Sequence, residues 1–168
     1  MKKLNLILTF LMIGSLVFGQ NDQEIEKKPV HEIGIAFGFT TGYGLSYRYW
    51  PKKFGIQTTF LGYKTYFYQF NIGLTGLYKF REEKYISFFG YVSNCLSQYK
   101  SPTFDALKYE NYNFYSVGVG PGISVGSKFV NFNMMIGCAM RYARIKFYGI
   151  RHEIFFHPTV ETGFYYRF

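Results

Sequence analysis

TVETGFYYRF, running from Thr159 to Phe168, holds two alternating sets of side chains. Val160, Thr162, Phe164, Tyr166 and Phe168 are mostly apolar, whereas Thr159, Glu161, Gly163, Tyr165 and Arg167 are mostly polar or small. A period of two puts such sets on opposite faces of a β-strand. With Phe168 last and no tail after it, a soluble sheet would end in an exposed amphipathic edge. In a barrel the last strand pairs with the first and the edge disappears. The stretch therefore predicts a β-barrel with lipid on its outer face.

The composition fits. The 168 residues suffice for one domain. Hydrophobic residues make up 48 % and aromatics 23 %, yet the mean hydropathy is only −0.05. A wall with one face to lipid and one to a polar interior averages out in this way. The formal net charge is +9, falling to +7 if Lys2 and Lys3 are removed with the leader described next. These cations are scattered singly along alternating strands. They suit solvated rim and lumen positions, or contact with anionic lipid and lipopolysaccharide, and no nucleic-acid partner is expected. Cys95 and Cys138 fall on strands that are not neighbours, so two free, buried thiols are expected.

Met1 to Gly19 reads as a secretory signal peptide: Lys2 and Lys3, an apolar run from Leu4 to Phe18, and Val17 and Gly19 before a cut at Gln20. Residues 20–29 form a polar periplasmic lead-in, and 30–168 are the barrel domain. Eight strands are predicted there, near 31–40, 43–50, 54–63, 69–80, 85–96, 113–125, 128–142 and 152–168. Thr40-Thr41-Gly42 is expected to be a tight turn, and Phe88-Phe89 leaves the register of the fifth strand open. Pro121, on an outward face, is expected to produce a bulge or kink. Short connections at 51–53, 81–84 and 126–127 alternate with longer ones at 64–68, 97–112 and 143–151. This predicts an eight-stranded antiparallel up-and-down transmembrane β-barrel with both termini in the periplasm. Tyr47, Tyr49, Tyr78, Phe80, Tyr166 and Phe168 would then form one aromatic girdle, and Tyr63, Tyr66 and Tyr68 the other.

Glu32, Arg48, Lys79, Arg141, Glu161 and Arg167 all take lumen-facing parity. An eight-stranded interior is just wide enough for side chains to fill, and buried charge must be paired. Glu32 and Glu161 are therefore expected to pair with Arg48, Arg141 or Arg167, inside a filled lumen that does not conduct.

Signal peptide, amphipathic strands and aromatic ending together resemble the small bacterial outer-membrane barrels of the OmpX, OmpW and OmpA-transmembrane type. The run TTGYGLSYRYWPKKFGIQTTF, Thr40 to Phe60, is similar to an early hairpin of uncharacterised outer-membrane-protein β-barrel domains. The resemblance implies residence in the outer membrane of a Gram-negative bacterium. It further implies that Phe164, Tyr166 and Phe168 are the signal read by the barrel-assembly machinery. It implies no catalytic residue and no cofactor.

The residues themselves agree on chemistry. A lipid-modifying barrel needs Ser, His and a carboxylate together. His152-Glu153 beside Arg151 is the nearest approach, and it has no serine within several residues. His31, His152, His157 and two separated cysteines lack metal-ligand spacing. The expected function is a non-enzymatic structural or interaction scaffold acting through its extracellular loops, of undetermined oligomeric state. A narrow channel, a lipid-modifying enzyme and a soluble lipocalin-type barrel with an apolar interior are the alternatives.

Overall fold

Alternation along each strand is realised as a closed wall. The computed structural model describes residues 29–64, 68–102, 109–146 and 150–168. Its eight strands are β1 (Val30–Phe37), β2 (Gly44–Trp50), β3 (Phe54–Lys64), β4 (Tyr68–Glu82), β5 (Ile86–Pro102), β6 (Tyr109–Gly126), β7 (Val130–Lys146) and β8 (Ile150–Arg167). Each pairs antiparallel with its sequence neighbours, and β8 returns to β1, so the sheet is a closed up-and-down barrel. The predicted leader, most of the lead-in and Tyr66 lie outside the described residues.

The outer face is apolar. Ile33, Ile35, Leu45, Ile56, Phe60, Leu74, Val92, Val119, Ile136 and Phe164 are all exposed. The inner face carries Glu32, Ser46, Arg48, Gln57, Thr59, Asn71, Thr75, Ser93, Asn133 and Glu161, all buried. This is the reverse of a soluble barrel, which puts its apolar face inside. A continuous apolar exterior of this extent is sustainable only against lipid. One apolar cluster does lie in the lumen, where Trp50, Leu77, Phe89, Tyr91 and Met135 pack together.

Several details differ from the sequence-based expectation. The connection after β1 is longer than a tight turn, spanning 38–43 before β2 begins at Gly44. Gly42 supplies its left-handed backbone, with φ 86°. The expected loops 97–112 and 143–151 are largely strand, because the hairpin ladders continue: Pro102 still faces Tyr109, and Lys146 faces Ile150. Pro121 introduces no bulge. Its register with Gly90 on β5 is unbroken, and the β6–β7 ladder resumes in the same register from Val119–Cys138 to Gly122–Met135. A bulge lies instead between Lys79 and Arg81, opposite the Phe88-Phe89 ambiguity. It resolves that ambiguity, putting Phe89 inside and Phe88 outside. Cys95 and Cys138 are both free; Cys95 is buried, but Cys138 is exposed. Cys138 shares outward parity with Met134, Ile136 and Met140, and that parity carries the thiol to the outer face.

Candidate functional site

Two clusters fill the lumen, and strand register builds the first. Glu32 faces Arg48 across the β1–β2 ladder and Arg167 across the β1–β8 ladder. Directly opposed residues on one face lie within side-chain reach. Arg167 donates to Glu32 Oε1 from Nε at 2.9 Å and from Nη2 at 2.7 Å. Arg48 Nη1 reaches Oε2 at 3.4 Å, as does the Trp50 indole N–H. Asn131 completes the shell with a 3.0 Å bond to Oε1. The rest of the Arg48 fork is held by Gln57 Oε1, at 2.6 Å from Nη2 and 3.2 Å from Nε, and its plane lies 4.1 Å from the Tyr165 ring centroid. Buried charge is tolerable when it is paired and hydrogen-bonded, as the Glu32 carboxylate is by two guanidinium groups, an indole and an amide.

Lys79 lies beside this cluster by the plain alternation of β4, just before the bulge. Beyond it parity reverses, so Arg81 pairs with outward Phe88 and turns to solvent, while Glu82 returns to Lys79 at 3.3 Å. The Lys79 ammonium also sits 4.4 Å from the Trp50 ring centroid.

The second cluster is a plug made by the connection 38–43. Thr40 and Thr41 are fully buried although they belong to a loop. The backbone N–H groups of Thr40 and Thr41 donate to the two Glu161 oxygens at 3.1 and 2.8 Å. The Thr40 hydroxyl donates to the same carboxylate, and the Thr159 hydroxyl does so at 3.0 Å. Across the lumen, the Ser93 hydroxyl donates to Thr40 Oγ1 at 2.7 Å, and the Tyr43 N–H donates to Asn71 Oδ1 at 3.1 Å. Two glycines make the room. A Cβ on Gly118 would collide with the Thr40 side chain, and one on Gly73 would strike the Thr41 carbonyl. The plug thus touches β4, β5, β6 and β8 at one level.

Of the six lumen charges singled out from sequence, Glu32, Arg48 and Arg167 come together. Lys79 pairs with Glu82. Glu161 takes the plug and, among the described residues, no arginine. Its register partner on β7 is Met135, whereas Arg141 faces Phe155 six residues further along β7, roughly 20 Å at strand rise. Arg141 lies instead against Phe114, 3.9 Å from the ring centroid. Phe164, Tyr166 and Phe168 are exposed on the outer face. Phe164 and Tyr166 sit on the closing seam opposite Ile35 and Ile33, and the Phe168 N–H donates to the His31 carbonyl at 3.0 Å.

His31 and His152 each bond to a tyrosine hydroxyl. His152 bonds to the Tyr142 hydroxyl on the outer wall, while adjacent Glu153 takes inward parity, since strand neighbours face apart. His31 bonds to the Tyr47 hydroxyl at 2.6 Å, and its ring lies 4.9 Å from that of Tyr49 and 5.9 Å from that of Phe168. Aromatic rings thus gather at the end of the barrel where β8 finishes. The sequence reading missed the plug and the parts played by Trp50, Asn131 and Tyr165. Parity puts Tyr165 inside with Glu161 and Arg167, and Asn131 inside with Arg141, and the same count from Arg48 adds Trp50; what it does not give is their partners, and no local signal marks the plug.

A closed eight-stranded antiparallel wall, apolar outside and lined with polar side chains inside, is a transmembrane β-barrel, with the architecture of the small outer-membrane barrels. No family model matches the chain, and no curated protein matches it. Among solved structures it is similar to the N-terminal β-barrel domain of Pseudomonas aeruginosa OprF, at 14 % identity and TM-score 0.45 over 84 % of this chain and 98 % of that one. It is similar to Neisserial surface protein A, at 14 % identity and TM-score 0.48 over 83 % and 94 %. It is also similar to Ail, the attachment invasion locus protein of Yersinia pestis, at 17 % identity and TM-score 0.47 over 86 % and 100 %.

Proposed function

We propose that this protein is an integral outer-membrane barrel that does not conduct and is not an enzyme, serving as a scaffold whose recognition is done at the rim formed by the β5–β6 and β7–β8 hairpins. The observation that carries the reading is the doubly obstructed lumen, with the Glu32 cluster near one end and the 38–43 plug across the middle. An eight-stranded interior leaves no spare cross-section beside such fillings. The apolar exterior supports lipid as the surrounding medium, and the net positive charge suits anionic lipid and lipopolysaccharide head groups. The short connections at the end of the barrel where β8 finishes support placing the termini in the periplasm. Phe164, Tyr166 and Phe168 form the assembly signal in this reading.

The test joins location to conductance. Fractionated membranes should yield the protein in the outer membrane, and the unboiled form should migrate faster than the boiled form on SDS gels. Refolded protein in a planar bilayer should give no sustained channel steps. Release by osmotic or salt wash without a heat shift would sink the membrane reading, and regular open-pore steps would sink the scaffold reading in favour of a channel.

A further inference from the structure

Arg141 differs from the other lumen cations. Arg48, Arg167 and Lys79 each have a carboxylate within ion-pairing reach. Among the described residues Arg141 has none, and its buried Nε has no hydrogen-bond partner. A guanidinium drawn partly out of water without a counter-charge is an unfavourable arrangement unless something arrives to complete it.

Its setting shows what could arrive. Arg141 faces Ser116 in register, one inward step beyond Gly118, and Gly118 is the residue pressed against Thr40 of the plug. The fork therefore sits just above the plug, on the floor of the bowl that the tall β5–β8 wall encloses. Phe114 covers one face of the guanidinium at 3.9 Å, and the Phe39 centroid lies 5.4 Å away. Tyr112 stacks on Phe114 with ring centroids 6.3 Å apart and planes 8° from parallel, and Tyr99 follows at 6.2 Å. The result is a run of aromatic faces leading up from one uncompensated fork. Nearby ionisable groups are Glu153, opposite Ala143 one inward step above, His157, opposite Ala139 one step below, and Cys95 of β5 and Tyr43 of the plug connection.

We propose that this bowl binds an oxyanion carried on a ring. The Arg141 fork takes the carboxylate or phosphate in two parallel N–H bonds, and the Phe114–Tyr112–Tyr99 faces take the ring. Two sources share this chemistry: a free sugar acid arriving from solvent, and the phosphorylated sugar head group of a surrounding glycolipid. The inference rests on the closed, plugged barrel proposed above, and it adds a ligand class to the rim.

The test is calorimetric titration of the refolded full chain with glucuronate, glucose 1-phosphate and neutral glucose. One or both anions should bind at least about tenfold more tightly than glucose, the scale of a charge-assisted hydrogen bond. Preference between the two anions tells carboxylate from phosphate, whereas retention of a phosphorylated glycolipid by the refolded protein in micelles, displaced by glucose 1-phosphate, assigns the head group, and no retention assigns the free sugar acid. Arg141→Gln should lose that advantage, Phe114→Leu should weaken binding of every ring, and Glu153→Gln should tighten it by removing a competing carboxylate. Arg141→Lys, which keeps the charge and loses the fork, should fall between wild type and Arg141→Gln; should Arg141→Gln not fold, this variant decides. No advantage of either anion over glucose in heat-shifting wild-type protein would overturn the ligand while leaving the barrel intact. Unchanged affinity in a heat-shifting Arg141 variant would overturn it equally. Absence of the heat shift in wild-type protein would remove the barrel reading and the ligand with it.

Discussion

Glu32 shows what one side chain contributes in this lumen. Its two oxygens receive donors from Arg48, Trp50, Asn131 and Arg167, drawn from β1's neighbours on either side and from β7. Glu32→Gln would leave two guanidinium groups without their carboxylate. Breaking one partner of a buried pair costs about 3–5 kcal/mol. Urea titration of the refolded protein in detergent should register a loss of that order. Arg81→Ala, which removes the largely exposed Arg81–Glu83 pair, should shift the midpoint little. Reactivity separates the cysteines: membrane-permeant N-ethylmaleimide should label Cys138 slowly through the detergent belt and spare Cys95 until the barrel unfolds. Labelling of both in the folded state would contradict the buried position of Cys95. At this scale inwardness was legible, because parity depends only on counting along a strand. Partnership was legible for Glu32, whose opposite numbers are fixed by the first and last ladders. It was not legible for Glu161, whose donors are backbone N–H groups of a loop.

Elements show where counting fails. The plug exists because Gly73 and Gly118 leave hollows in two walls far from it in sequence, and because Glu161 offers an acceptor at the same height. Nothing in Thr40-Thr41-Gly42 itself distinguishes a loop folded inward from one facing solvent. Gly118→Leu should therefore dislodge the plug without touching it covalently. Planar-bilayer recording should show brief, small openings in this variant and none in wild type, and silent variants that still shift on heating would mean the Glu32 cluster alone seals the lumen. The fifth strand teaches a similar lesson. Phe88 and Phe89 give either register, and the choice is made across the ladder by the bulge at Phe80, a feature of β4. Pro121 caused less disturbance than its chemistry suggests, since its pairing with β5 at Gly90 is kept and the β7 ladder resumes unshifted.

At the level of the whole molecule, closure was written in the final strand, and two sorted faces confirm what that strand requires. The heights of the walls were not written there. Strands that begin as lipid-facing alternation run on past the belt as paired hairpins, because an antiparallel ladder gains backbone bonds in water as well as in hydrocarbon. β7 and β8 stay in register from Val130–Tyr166 to Lys146–Ile150, and β5 and β6 from Ile86–Val125 to Pro102–Tyr109. By contrast, β1 meets β8 only between Glu32–Arg167 and Phe37–Thr162, and β2 meets β3 only between Leu45–Phe60 and Tyr49–Ile56.

That inequality implies a chronology. Long local hairpins recover many bonds for little loop closure, whereas β1 must wait for a strand that arrives at the other end of the chain. The amino-terminal pair is thus a latecomer, stapled by Glu32 and by the inward loop once the other walls stand. Pulse-labelled amide exchange during refolding should protect Val92 and Val119 before Ile33 and Leu45, and simultaneous protection of all four would mean the cylinder zips shut as a single event.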